Sequence, residues 1–117
     1  MSRLIGTARI CNVPFKFIEA DSDDDAELES CQAFCDLDEA EILIRKDLPR
    51  GHYVDAVLHE ALHAIWGCSG LENVIAEAAG LKIGSKKLNR LEETVIRVLT
   101  PHLVQFLATG QHIIGKQ

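Results

Sequence analysis

Five consecutive residues, His59-Glu60-Ala61-Leu62-His63, set two imidazoles four positions apart with a carboxylate next to the first. On an α-helix, residues four apart share a face about one turn apart, so both rings can reach one metal ion while Glu60 stands beside them to hold and deprotonate a water. With five His and ten Glu in 117 residues, chance yields this pattern roughly 0.02 times per chain of this length. The chemistry it encodes is zinc binding with an activated water, and the competing description is two polar rings on a solvated face. His52, His102 and His112 are isolated in the sequence and read as surface positions.

A catalytic zinc takes a third protein ligand and keeps one position open. The longer HExxHxxGxxH pattern is excluded, because Trp66 occupies its glycine position and Ser69 its third histidine position. A downstream carboxylate is the natural substitute: Glu92 or Glu93, about 30 residues on, with Glu72 and Glu77 as nearer but solvated competitors. A helical wheel puts Glu92 at the edge of the apolar stripe, roughly 50° from its centre, and Glu93 nearly opposite that stripe. Glu92 also fits the N3 position of a capping box begun by Asn89. The wheel favours Glu93, with Glu92 kept as the alternative.

Elements that position these residues follow from periodicity. From His52 to Trp66, apolar residues recur at three- and four-residue spacing, and Gly67 and Gly70 supply a stop, so the motif falls inside a helix. Residues 71–79 read as a short helix closed by Gly80. A third helix begins near Ser85 and runs to about Leu99, where Thr100-Pro101 either kinks it or starts a new segment. Before the motif, residues 4–18 alternate as a strand, with Pro14 suggesting an edge or a bend. The runs CQAFCDL and AEILIRKDL read as two further strands about a turn at Asp38 and Glu39. The expected fold class is α+β: one domain over residues 1–117, with a small antiparallel sheet, the motif helix and C-terminal helices.

Composition excludes other classes. A hydrophobic fraction of 47% with 26% charged residues describes a globular chain rather than a disordered or low-complexity one. No apolar run approaches the ~20 residues of a membrane span, and the N-terminal stretch lacks a signal-peptide core, which points to a cytoplasmic protein. In that compartment Cys11, Cys31, Cys35 and Cys68 are expected as reduced thiols, with no pair at zinc-ligand spacing. The net charge of -6 is unevenly distributed: residues 19–41 hold eleven acids and no Lys or Arg, and everything outside them sums to +5. The tract DSDDDAELES reads as a solvated loop, since the central Gly and distal Glu of an EF-hand loop are missing. Lys82, Lys86, Lys87 and Arg90 form a small basic cluster without interleaved aromatics, so a nucleic-acid partner is not expected.

The sequence HEALHAIWG, followed about 25 residues later by LEETVIRVLTPHLVQFL, resembles the small phage-encoded zinc metallopeptidase-like proteins over roughly residues 39–107. That resemblance implies a minimal zincin, distantly related to SprT-like and gluzincin peptidases. His59 and His63 would be zinc ligands, Glu60 the general base, and Glu92 or Glu93 the third ligand. It implies peptide-bond hydrolysis on a protein or peptide substrate, in the host cytoplasm for a phage protein. An extended substrate would pair with a sheet edge, expected at residues 41–45. Neither Tyr53 nor His52 offers an evident oxyanion donor, since both precede the motif on its own helix. The alternative is a non-catalytic zinc-binding module whose metal stabilises the fold while its surface binds a protein partner.

Overall fold

The computed structural model describes residues 2–21, 28 and 31–115. The eight residues 22–27 and 29–30, which make up most of the acidic tract, lie outside the described part. The solvated loop expected there belongs to that stretch.

Residues 3–20 fold into a hairpin rather than a single strand: β1 (Arg3–Ile10) and β2 (Val13–Ala20) pair antiparallel, with Ile10 opposite Val13. The two turn residues, Cys11 and Asn12, both have positive φ (54° and 65°). Such a turn matches the right-handed twist of its strands. Pro14 is not on an edge strand. Its register opposite Arg9, next to the turn-closing pair, aims its nitrogen away from β1. On that side β4 (Glu41–Arg45) begins only at the level of Lys16, so the missing N–H removes no ladder bond.

β3 (Ala33–Asp36) pairs antiparallel with β4, and the strand order is β1-β2-β4-β3. The expectation of an all-antiparallel sheet is corrected at its centre, because β2 and β4 run parallel and the sheet is mixed. The cause is visible in β4, where Ile42 and Ile44 are fully buried on one face and Leu43 is half-buried on the other. A strand apolar on both faces belongs inside a sheet.

Three helices follow: α1 (Arg50–Cys68), α2 (Leu71–Ala79) and α3 (Lys86–Ile114). One core lies between the sheet and α1, built on Phe15, Ile42, Ile44 and Ala64, with Val57 and Ala61 packed against it. A second joins Trp66, Ala76 and Leu88 from the three helices. The motif residues occupy α1 between these cores. Gly80 ends α2 with φ of 68°, a conformation a Cβ disfavours, and its N–H closes onto Ala76 and Glu77 carbonyls.

α3 starts at Ser85, whose Oγ accepts from the Leu88 N–H at 3.2 Å. Ser85→Ala should therefore cost about 1 kcal/mol in a urea denaturation series. This cap also replaces the capping box expected at Asn89, because Glu92 lies in the second turn and its carboxylate is free for other work. Pro101 does not divide α3, which runs as one 29-residue helix through it. Just before Pro101, the buried Thr100 hydroxyl donates to the Ile96 carbonyl at 2.7 Å.

Candidate metal centre

α1 and α3 pack antiparallel, and this brings the two histidines against the two glutamates. His59 Nε2 and His63 Nε2 are 3.2 Å apart. Glu93 reaches both: Oε1 lies 3.1 Å from His59 Nε2 and Oε2 lies 3.0 Å from His63 Nε2. Glu92 approaches His63 from behind, with Oε2 2.6 Å from Nδ1. The neighbouring carboxylates therefore address opposite nitrogens of one ring.

Both His63 nitrogens face a carboxylate oxygen, Nδ1 that of Glu92 and Nε2 that of Glu93, so a cation taking the place of a proton at Nε2 would select the Nδ1–H tautomer. With Nδ1–H donating to Glu92, a neutral His63 presents its lone pair at Nε2, toward His59 and Glu93. Burial is the main influence on His59 and lowers its pKa below the ordinary value, with the His63 charge acting in the same direction against Glu93. A neutral imidazole is the form that binds metal.

The donor set fits zinc. Ligands held at about 2.0–2.1 Å in a tetrahedron stand roughly 3.3 Å from one another, close to the 3.0–3.2 Å separations among His59, His63 and Glu93. Two imidazoles and a carboxylate are a common catalytic zinc set that leaves a fourth position. A carboxylate on the far nitrogen of a ligating histidine, as Glu92 provides, is the usual outer support.

Glu60 also lies nearby, with ligand atoms of His59, Glu60 and His63 all within 4.8 Å of one another. Its environment suits a proton carrier better than a ligand. Burial pushes its pKa up to about 7, partly opposed by the His63 charge and by the backbone N–H of Cys35, which donates to it. In the metal-free protein the native state holds this proton between pH 4.5 and 7 while the unfolded chain does not, so stability falls as pH rises through that window. Glu60→Gln should then stabilise the metal-free protein by about 3 kcal/mol at pH 8 and hardly at all at pH 4, as read by chemical denaturation at both values.

The Cys35 amide identifies what the sheet contributes. In the β3–β4 register, Phe34 is in a hydrogen-bonded pair with Leu43, as Gln32 is with Arg45, whereas Ala33 and Cys35 aim their backbone groups outward. The edge that faces α1 is thus β3, and the expected edge at residues 41–45 is corrected, since β4 is enclosed between β2 and β3. Two cavities meet at Glu60. One of about 400 Å³ is lined by Gln32, Ala33, Ala56, His59, Arg97 and Thr100. Another of about 300 Å³ is lined by Phe34, Cys35, Leu37, His63, Trp66 and Glu72.

The remaining sequence candidates separate from the cluster. Glu72 lines the smaller cavity, while Glu77 is exposed on α2. His52, His102 and His112 are exposed, and Tyr53 packs on the sheet core rather than in the cleft. Cys68 is exposed at the end of α1, more than a turn beyond His63. Burial raises the Cys35 thiol to about 12, so it is protonated and a poor ligand. No disulfide joins the four cysteines. Arg97, one turn after Glu93, brings its guanidinium within 3.6 Å of Glu93 Oε1, a charge the sequence alone did not single out. No helix among the described residues is long and apolar enough to cross a membrane.

No protein family, curated protein or solved structure matches this chain.

Proposed function

We propose that this chain is a zinc-dependent metallopeptidase, with His59, His63 and Glu93 as ligands, Glu92 as the support of His63, and Glu60 as the proton carrier. The observation that carries the reading is the convergence of both Nε2 atoms and the Glu93 carboxylate, each within 3.2 Å of the others. The resemblance of the motif segments to the small phage-encoded metallopeptidases points the same way. Zinc held there would polarise a peptide carbonyl and acidify a water.

The protein's own groups account for the rest of the reaction. A carboxyl with pKa near 7 can accept a proton from the attacking water and return it to the leaving amine without a large energetic penalty in either direction. The outward backbone groups of Ala33 on the β3 edge offer an extended peptide a donor and an acceptor beside Glu60. The two cavities flanking Glu60 would take side chains on either side of the scissile bond.

Metal analysis combined with a fluorogenic peptide library tests the reading. One zinc per chain is expected, lost in His59→Ala and His63→Ala, with cleavage abolished by a chelator and restored by zinc. Bound zinc without cleavage of any peptide, together with cooperative unfolding on chelation, would instead support a structural zinc module that binds a partner.

A further inference from the structure

The core-facing stripe of α3 continues beyond the body that it packs on. Counting down α1 from His63 while counting up α3 from Glu92 brings Arg50, the first residue of α1, level with about residue 105 of α3. The stripe runs alongside α1 up to that level and persists past it. Leu99, Leu103, Phe106, Gly110 and Ile113 follow at spacings of four, three, four and three, with Ile114 beside them, the repeat by which helices pair along a seam. Leu99, Phe106, Ile113 and Ile114 are 43%, 49%, 63% and 48% exposed.

We propose that this seam pairs with the same seam of a second copy, as an antiparallel helix pair about a two-fold axis near Phe106. Charge is the first argument: residues 98–115 contain no Asp, Glu, Lys or Arg, so self-pairing opposes no like charges and desolvates none. Residue size is the second. An axis at Phe106 sets Leu99 against the partner's Ile113, two aliphatic side chains of similar size, and brings Leu103 to the surface where the partner's Phe106 ring covers Gly110. Phe106 already lies over its own Gly110, where a Cβ would come within 2.9 Å of the ring. Area is the third, since two seams of this length bury roughly 1,000 Å² in total, the lower limit for a stable interface. An interface at that limit belongs to the weak class, so the dimer should form only as concentration rises. A lipid surface fits less well, because helices that lie on membranes carry cations on the polar face, whereas Gln105, Thr109 and Gln111 stand there.

The pairing does not depend on the metal centre, since Phe106 is 13 residues, about 20 Å, along α3 from Glu93. Sedimentation velocity of the full chain from about 1 to 300 μM tests it. Wild type is expected to pass from monomer to dimer across that range, Phe106→Glu to remain monomeric with unchanged helical circular dichroism, and Ala108→Glu, on the opposite, exposed face, to dimerise like wild type. Should Phe106→Glu lose its helical signal, Ile113→Glu at the exposed end of the seam replaces it with the same expectation. A monomer at 300 μM overturns the proposal, whether or not that monomer then sediments with phosphatidylcholine or phosphatidylglycerol vesicles. Dimerisation of a folded Phe106→Glu or Ile113→Glu at wild-type strength overturns it as well.

Discussion

Glu60→Gln should keep its zinc and lose about 10³-fold in kcat/KM on any peptide the wild type cleaves. The amide preserves the shape of the carboxylate and the hydrogen bond from the Cys35 N–H, so the fold and the neighbouring histidines have no reason to move. What disappears is the ability to take and return a proton, a contribution that ranges over about 10²–10⁴-fold for a positioned acid–base. A 10³-fold loss corresponds to about 4 kcal/mol of barrier. Steady-state kinetics alongside zinc content would separate this from simple metal loss. The same substitution is expected to stabilise the metal-free protein at alkaline pH, a gain in stability accompanying a loss of activity that marks a group held for function.

The second large effect distinguishes the two adjacent glutamates. Glu93→Gln removes the negative donor shared by the two Nε2 atoms, so zinc affinity should collapse, beyond the roughly 10–100-fold loss expected for an outer partner. Glu92→Gln leaves the donors in place. It weakens only the hold on His63 Nδ1, and its zinc affinity should fall within that 10–100-fold range. Competitive titration with a chromophoric chelator reads both. Equal losses for the two variants would contradict the division of roles.

Much of this site could be read from spacing. Two histidines at i and i+4 in an apolar-periodic segment already imply one helix face and one shared target, and His59 and His63 do lie together on α1. The wheel's choice between Glu93 and Glu92 meets a structure in which both touch the histidines, Glu93 at the two Nε2 atoms and Glu92 at His63 Nδ1, because α3 turns the side that carries the buried Ile96 and Thr100 toward α1. The part played by Glu92 was hidden, because Asn89 and Glu92 imitate a helix start that Ser85 in fact supplies. Local pattern could not decide between two consecutive N-terminal signals.

The sheet was harder to read. Cys11-Asn12 turns the chain with two positive φ angles, yet lacks the glycine that usually announces such a turn, so β1 and β2 looked like one strand. The parallel pairing of β2 with β4 joins segments more than 20 residues apart and leaves no local trace. Consequently the free edge beside Glu60 falls on β3, and the backbone donor at Cys35 emerges only from the folded register. Pro101 was open to two readings, a kink or a new helical segment, and α3 runs through it as one helix, its apolar stripe continuing from the buried Leu88 to the exposed Ile113.

Zinc-edge anomalous diffraction from crystals of the zinc-loaded protein addresses the central claim most directly. One peak is expected between His59 Nε2, His63 Nε2 and the Glu93 carboxylate, with Glu92 still on His63 Nδ1 and Glu60 beside the fourth position. A peak ligated by Glu92 or by a cysteine, or no peak between the two histidines, would contradict it.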